Sequence, residues 1–262
     1  MTEEVVYTKA DGVATIRLNR PEAGNALSRR MRPVFAGIWA DVRADDDVRA
    51  VIVTGTGERH FCTGADVKEV AESGTTSSMA ENVRTAIVWS PLQNDVWKPV
   101  ICAVNGLVAG GGLHFVADAD IVVAAESAVF MDTHVSVGQV GAVENIGLAH
   151  RMPLGAVLRM TLMGRSYRMP AARAHELGLV DEVVPPAELD RTAREIALAI
   201  AANSPAAVMA SKQAIWDSIG VPRQEALEHG WTLARAHWNH PDFTEGARAF
   251  AEKRPPRWTA GR

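Results

Sequence analysis

The chain has 262 residues, of which 27 are Lys or Arg and 31 are Asp or Glu, so its formal net charge is −4 with histidine neutral. A charge so close to balance argues against a protein built to attract nucleic acid or an anionic membrane surface. The hydrophobic fraction of 47% and the charged fraction of 22% are ordinary for a globular chain with a large core, and they exclude extended disorder, a collagen repeat, a coiled coil and a disulfide scaffold.

Two short β-rich runs open the chain. They cover Val5–Thr8 and Val13–Leu18, and an Asp-Gly pair between them is typical of a hairpin turn. Apolar residues at helical spacing then predict a helix that begins with Ser28 as its N-cap and ends near Val42.

Strands and helices alternate over the next part of the chain. Further strands are predicted at Ala50–Thr54, Pro99–Val104 and Ile121–Ala124, with a helix over Met79–Val96 between the first two. This alternation predicts an α/β fold in which crossover connections join the strands.

After about Arg151 the pattern becomes mainly helical. Four helices are predicted, at Ala171–Leu177, Glu188–Ala202, Pro205–Ile219 and Gln224–Trp238. A polar, proline-bearing tail closes the chain, and no internal repeat or low-complexity segment is present. We therefore expect an α/β body over residues 1–200 and a C-terminal helical region over residues 201–262.

The compartment follows from cysteine usage and from the apolar segments. Cys62 and Cys102 are too few for a disulfide framework and fit a reducing compartment. The N-terminus lacks the basic and apolar regions of a signal peptide, and the most apolar stretch, Val100–Ala125, is broken by polar residues and glycines. We expect a cytoplasmic protein that binds neither membrane nor nucleic acid.

Two glycine-containing segments follow predicted strands. The first contains Gly64-Ala65-Asp66, with a helix expected to begin near Asp66, and the second contains three consecutive glycines at residues 110–112. Backbone N–H groups at such turns can approach a ligand oxygen closely. Taken alone, the first segment is better interpreted as a plain strand-to-helix connection.

Other interpretations of these motifs fail on spacing. The G-x-G-x-x-G pattern of dinucleotide sites is absent, and no Gly-Lys-Ser/Thr follows the glycines as a phosphate-binding loop requires. A nucleophile elbow needs glycine two residues before its serine, but His134 occupies that position relative to Ser136. No zinc-type spacing relates His114, His134 and His150, so no metal site is expected.

The glycine segments are two of several motifs that occur in a characteristic order. The motifs are Leu18–Pro21, Asn25–Leu27, Phe61–Asp66, Ala103–Gly112, Ala174–Val180 and Glu245–Arg254. Together they resemble the crotonase (enoyl-CoA hydratase/isomerase) superfamily almost end to end. The resemblance implies a ClpP/crotonase-type superhelix of ββα turns, a C-terminal helical trimerisation region, and a homotrimer or a hexamer formed as a dimer of trimers.

The resemblance also implies an acyl-CoA thioester as substrate, with coenzyme A as part of that substrate and no separate cofactor. In the family two backbone N–H groups bind the thioester oxygen as an oxyanion hole, and the matching positions are Ala65 and Gly111. The enolate of a thioester carries its charge on that oxygen. Preorganised donors there can lower the barrier by ~3–4 kcal/mol apiece.

Coenzyme A contacts carry over to five positions. Ala23, Gly24 and Ala26 match the segment near adenine and pantetheine, while Lys68 and, from a neighbouring subunit, Lys253 match positions near the phosphates. A solvated surface lysine is the alternative for both lysines.

The sequence departs from the hydratase pattern at both catalytic glutamates. These positions are occupied by His114, two residues after the glycine triplet, and by His134. Imidazole can accept or donate a proton near neutral pH. Two imidazoles are nevertheless neutral or positive where two carboxylates would be negative. We favour a catalytic pair over packing substitutions, because both changes fall at the chemical positions.

Two nearby acids can compensate for the missing glutamates. They are Asp132 and Glu144, and the second either orients His134 or serves as a base, or else complements a helix dipole. The predicted reaction is hydration or isomerisation of an enoyl-CoA, with His114, His134 and Glu144 as the catalytic residues. The alternatives are retro-Claisen or hydrolytic cleavage of a C–C or thioester bond, and a non-catalytic acyl-CoA-binding member.

Overall fold

The computed structural model describes residues 3–74 and 82–259. Ten strands occur in the described residues: β1 Val5–Ala10, β2 Val13–Leu18, β3 Ala50–Gly55, β4 His60–Cys62, β5 Val100–Val104, β6 Leu107–Ala109, β7 Ile121–Ala125, β8 Val129–Met131, β9 Met169–Pro170 and β10 Glu182–Val184. The α-helices of the same residues are α1 Met31–Ala44, α2 Val67–Ser73, α3 Val83–Ala86, α4 Leu113–Ala117, α5 Val143–Ala149, α6 Leu154–Met163, α7 Ala171–Glu176, α8 Leu189–Ala201, α9 Pro205–Trp216, α10 Arg223–His237 and α11 Pro241–Ala251.

The larger sheet has six strands in the order β1-β2-β3-β5-β7-β10. β1 and β2 form an antiparallel hairpin, and every other pair in this sheet is parallel. β3 and β5 are buried along their whole length, as their unbroken apolar sequences require of a sheet covered on both faces. Val51 and Val53 belong to the same apolar cluster as α1, whereas Ala50 and Ile52 pack with α8.

The smaller sheet has four strands in the order β4-β6-β8-β9. Strands of the two sheets alternate along the chain, so that β3, β5 and β7 of the larger sheet are followed by β4, β6 and β8 of the smaller one. This arrangement confirms the superhelix of ββα turns. Because β4, β6 and β8 are parallel, their carboxyl ends meet at one edge. The turns after Cys62, Ala109 and Met131 therefore lie together.

The predicted helix over Met79–Val96 is wrong. The structure has only the short helix α3 and a 3₁₀ turn at Leu92–Asn94 in this part, while residues 79–81 lie outside the described residues. Pro91 explains the interruption, because proline lacks an N–H donor and disfavours helical geometry at the residue before it. Trp89 just before it is buried in the core.

Helix α1 also differs from its prediction at its start. It begins at Met31, and Ser28 is not its N-cap, because the Ser28 hydroxyl donates to the carboxylate of Glu4. Three of the four apolar residues whose spacing predicts this helix are buried, namely Met31, Ile38 and Val42. The fourth, Val34, is 44% exposed, and Phe35 and Trp39 complete the buried face. The spacing rule therefore identified the helix and most of its buried face, with Val34 as the exception.

The C-terminal helices extend from the body that carries the sheet. α8 packs on β3, β5 and β7, and α9 is attached through Lys212, whose buried ammonium pairs with Asp120 at 2.8 Å. α11 was not predicted. The boundary between residues 200 and 201 stays a prediction. No helix in the described ranges is long and apolar enough to cross a membrane.

Two asparagines tie together the loops that carry the glycine turns. Asn25, which is fully buried, accepts a hydrogen bond from the Arg20 N–H and donates to the carbonyl oxygens of Thr56 and His60. Asn105 donates to the same His60 carbonyl. Each amide replaces backbone pairing that these irregular loops cannot supply for themselves.

We predict that Asn25→Ala destabilises the protein by about 2–4 kcal/mol, because it leaves buried backbone groups without partners. Urea unfolding at fixed protein concentration measures this loss. Asn203→Ala, which removes an exposed asparagine from the end of α8, serves as the matched control and should change stability little. Equal effects of the two substitutions would contradict the role given to Asn25.

Candidate active site

A cavity of about 470 Å³ lies at the edge where β4, β6 and β8 end. Five residues singled out in the sequence line it together: Ala65, Gly111, His114, His134 and Glu144. They come from four separate segments of the chain. The cavity therefore brings the two glycine turns and the three candidate proton-transfer groups into one space.

The two glycine turns touch through their backbones. Gly64 has φ +86°, and a β-carbon on it would lie 2.9 Å from the Gly111 nitrogen, so no larger residue fits there. A β-carbon on Gly111 would lie 3.8 Å from the Ala65 nitrogen. Close packing of the turns thus sets the Ala65 and Gly111 nitrogens side by side at the cavity wall.

Both N–H groups are available to a ligand. Ala65 forms an isolated parallel bridge with Leu27. In this bridge the Leu27 N–H donates to the carbonyl of Gly64, and the Leu27 carbonyl accepts from the Asp66 N–H. This pattern leaves the Ala65 N–H without an acceptor among the described residues. Gly111 lies in the first turn of a 3₁₀ helix, where N–H groups have no partner within the helix.

His134 is held by a buried carboxylate. Its Nδ1 lies 2.7 Å from Oδ1 of Asp132, and its backbone N–H donates to the same oxygen at 2.9 Å. Asp132 is fully buried, and its other oxygen accepts from Nδ2 of Asn145 at 2.6 Å. Burial alone would raise the pKa of Asp132, but these hydrogen bonds outweigh it and the pKa is lowered. Asp132 is therefore ionised, and Nδ1 of His134 carries the proton.

Gly141 makes room for this network. A β-carbon on it would come within 2.6 Å of Oδ2 of Asp132 and 3.1 Å of Nδ1 of His134. On the opposite side of the ring, a β-carbon on Gly110 would lie 3.9 Å from Nε2 of His134. With Nδ1 engaged, Nε2 is the nitrogen directed towards the glycine turn.

Glu144 connects the two histidines. One carboxylate oxygen lies 3.1 Å from Nδ1 of His134, and the other lies 3.5 Å from Nε2 of His114. Glu144 is in the first turn of α5, as its interpretation as a helix-dipole charge required, but it is 5% exposed and faces the cavity. The geometry therefore gives it contacts with both candidate catalytic groups.

Burial and charge separate the pKa values of the two histidines. Burial, together with the nearby charge of His134, lowers the pKa of His114 to about 4, so His114 is neutral at pH 7. Burial would also lower the pKa of His134, but its hydrogen bond to Asp132 and the charge of Glu144 outweigh it and raise that pKa. Burial raises the pKa of Glu144, and the charge of His134 offsets only part of this effect.

The comparisons with known proteins show the family of this chain. The profile of the enoyl-CoA hydratase/isomerase family matches residues 8–261. The chain belongs to this family. It is 36% identical over 257 residues to the (E)-benzylidenesuccinyl-CoA hydratase of Thauera aromatica, covering 96% of this chain and 97% of that protein. It is 33% identical over 250 residues to the short-chain-enoyl-CoA hydratase of Clostridium acetobutylicum, covering 95% of each.

Solved structures of the family have the same fold. An enoyl-CoA hydratase/isomerase from Mycobacterium paratuberculosis superposes with a TM-score of 0.89 at 38% identity, covering 99% of this chain and all of that one. An enoyl-CoA hydratase from Bacillus anthracis gives a TM-score of 0.87 at 33% identity, with 99% and 100% coverage. The crotonase-type fold inferred from sequence is thereby confirmed.

The positions carried over from the enoyl-CoA hydratase/isomerase family for coenzyme A are not among the residues that line the cavity. Gly24 packs against Thr63 beside the first glycine turn, and Ala23 and Ala26 flank it. Lys68 lies exposed in the first turn of α2, and Lys253 lies exposed just after α11. Their coenzyme A contacts stay predictions.

The cavity also contains groups that the sequence analysis missed. Arg29 and Arg32 line it from the start of α1, and Trp89 lines it from the segment after α3. Three arginines between residues 29 and 32 are visible in the sequence, but the predicted helix start did not place them. Asn145 was also missed, because its contact with Asp132 depends on how α5 packs.

We predict that Asp132→Asn lowers the pKa of His134, because a neutral amide no longer stabilises the imidazolium. NMR titration of the imidazole protons, with His134→Gln to assign the resonance, measures the change. Asp217→Asn is the matched control, since Asp217 pairs with the exposed His229 at 2.9 Å and should leave His134 unaffected. An unchanged or raised pKa of His134 in Asp132→Asn would refute the role of Asp132.

Proposed function

We propose that the protein hydrates an enoyl-CoA thioester, with coenzyme A as part of the substrate. One observation carries this proposal: the cavity of a member of the enoyl-CoA hydratase/isomerase family combines two backbone N–H groups, which have no acceptor among the described residues, with His114, His134 and Glu144. Two relatives named as hydratases of CoA thioesters support the same class of reaction.

The N–H groups of Ala65 and Gly111 bind the thioester oxygen. When water adds to Cβ, the π electrons move towards the thioester and negative charge collects on that oxygen. Fixed donors stabilise this charge without having to reorient during the reaction. Removal of one such donor typically costs ~3–4 kcal/mol of transition-state stabilisation, and a backbone N–H has the further advantage that no side-chain motion displaces it.

Glu144 and His134 each perform one of the two proton transfers. A water molecule held beside Glu144 and the neutral His114 loses a proton to Glu144, and its oxygen bonds to Cβ. The enolate then takes a proton at Cα from Nε2 of a protonated His134, so one water molecule adds across the double bond. Glu144 is left protonated and His134 neutral, and exchange with solvent after product release restores both.

A second candidate is hydrolytic or retro-Claisen cleavage. The observation that favours it is the buried Asp132 carboxylate on Nδ1 of His134, which leaves Nε2 directed towards the glycine turn. In that arrangement neutral His134 takes a proton from water, and the oxygen attacks a carbonyl carbon whose oxygen occupies the same N–H pair. Release of free coenzyme A, or of two fragments from a β-keto acyl-CoA, distinguishes this reaction from hydration.

We predict that His134→Gln and Glu144→Gln each lower kcat for crotonyl-CoA hydration by about 10²–10⁴-fold, because each removes a proton-transfer group. His114→Gln should have a smaller effect on kcat, since His114 is neutral and transfers no proton in this scheme. Loss of enoyl absorbance measures the rate, and assay of free thiol detects cleavage.

His150→Gln is the matched control, since His150 is exposed at the end of α5 and should retain full activity. No turnover of crotonyl-CoA or of longer enoyl-CoA esters, despite measured binding, would leave a non-catalytic acyl-CoA-binding protein. Rapid release of free coenzyme A would instead establish the hydrolytic candidate.

We predict a bell-shaped pH profile of kcat/KM for hydration, because Glu144 must be ionised and His134 protonated. The raised pKa of His134 places the basic limb above pH 6.5. Asp132→Asn should move this limb to lower pH, since it lowers the pKa of His134. A shift in the opposite direction would contradict the assignment of His134 as the acid.

We also propose a homotrimer or a dimer of trimers, assembled through the C-terminal helices, in the cytoplasm. Large apolar side chains on these helices support assembly: Ile215 is 69% exposed, Trp231 is 54% exposed and Phe250 is 89% exposed. Exposed apolar surface of this kind commonly marks an interaction surface.

A further inference from the structure

Arg32 places a positive charge in the wall of the active-site cavity. Its two terminal nitrogens donate to the carbonyl oxygens of Thr85 at 2.8 Å and Ala86 at 2.9 Å. The guanidinium also lies over the ring of Trp89, 5.4 Å from the centroid. These contacts fix its position, yet they use only two of the five N–H donors that a guanidinium has.

No carboxylate in the described part of the chain lies within 4.0 Å of this guanidinium. The acids that share the cavity wall have other partners: Asp66 pairs with Arg20 at 2.9 Å, Glu69 accepts the backbone N–H of Arg29 at 2.8 Å, and Glu144 contacts His114 and His134. A half-buried cation without a counter-ion is costly, because burial disfavours the charged form. A negatively charged ligand group would remove that cost.

The position of Arg32 points to the acyl group rather than to coenzyme A phosphates. Trp89, beneath the guanidinium, packs edge-on against Phe35 at 5.7 Å, and Phe35 packs against Phe115 at 5.5 Å. Phe115 directly follows His114 in α4. One row of aromatic side chains thus packs Trp89, which lies beneath Arg32, against the helix that carries His114. Arg29, in contrast, is exposed just before α1.

We propose that Arg32 binds a free carboxylate on the acyl group, so that the preferred substrates are carboxylated enoyl-CoA thioesters. This inference rests on the proposed function for its reaction but not for its binding chemistry. A guanidinium can bind a carboxylate through paired N–H donors, whereas it offers nothing to the methyl end of a neutral acyl chain.

Binding is measured with saturated esters, which cannot be hydrated. The probes are glutaryl-CoA, which carries a terminal carboxylate, and its neutral methyl ester. By calorimetry the wild-type protein should bind glutaryl-CoA about 10- to 100-fold more tightly than the methyl ester, the range expected for hydrogen bonds to a charged group. Arg32→Gln, which keeps an N–H donor for one carbonyl, should abolish the difference, and Arg32→Lys should retain part of it.

Turnover is measured with crotonyl-CoA and glutaconyl-CoA, which differ by the terminal carboxylate. Arg32→Gln should lower kcat/KM for glutaconyl-CoA about 10- to 100-fold while changing that for crotonyl-CoA little. Arg30→Gln is the matched control, because Arg30 lies outside the cavity and pairs with Glu4 at 2.7 Å. It should leave both substrates unaffected.

Three results would overturn the inference. Arg32→Gln could lower kcat/KM equally for both CoA esters but leave that for the corresponding pantetheine thioesters unchanged. This result would assign Arg32 to the phosphates of coenzyme A. An equal decrease in kcat/KM that persists with pantetheine thioesters, or no decrease at all, would leave Arg32 a purely structural role. That role is to hold the segment at Thr85 and Ala86 through hydrogen bonds. Selective binding of glutaryl-CoA without turnover of any enoyl-CoA would support the inference while refuting the proposed function.

Discussion

The contact between two glycine turns is the constraint on which the candidate site depends. Gly64 and Gly111 approach so closely that a β-carbon on Gly64 would lie 2.9 Å from the neighbouring nitrogen. This contact sets the Ala65 and Gly111 N–H groups on one wall of the cavity. It exists because three parallel strands of the smaller sheet end at the same edge, each reached by a crossover from the larger sheet. The superhelix is therefore a means of bringing backbone donors from distant segments together.

Elements with unbroken apolar sequences were predictable from the sequence, because a buried parallel strand tolerates little else. The strands at Ala50–Gly55 and Val100–Val104 are examples. Helical periodicity was a weaker guide. It found α1 and three residues of its buried face but missed Phe35 and Trp39, because the local sequence does not show how wide that face is. It failed at Met79–Val96, where proline and a buried tryptophan override the apparent period.

The candidate site likewise contains some residues that the sequence predicted and others that depend on tertiary packing. Ala65, Gly111, His114 and His134 were named from the resemblance to the enoyl-CoA hydratase/isomerase family, because its motifs mark these positions, and all four line the cavity. Asp132 was recognised only as a nearby acid, and Glu144 was predicted to orient His134 or to act as a base. Their contacts with His134 depend on the turn after β8 and on the packing of α5. Arg32 and Trp89 carry no motif, since tertiary structure alone brings α1 against the segment after α3.

The charge of the site follows from these tertiary contacts. Two histidines at the positions of two glutamates predict a neutral or positive centre if only those positions are counted. The structure adds the buried carboxylates of Asp132 and Glu144 within hydrogen-bonding distance of His134, so negative charge is restored from other positions. Both carboxylates contact Nδ1 of His134. The negative charge therefore lies on one side of the imidazole, while Nε2 faces the glycine turn. An imidazole backed in this way can hold a proton at neutral pH and still release it to an enolate, because an enolate is a far stronger base than an imidazole.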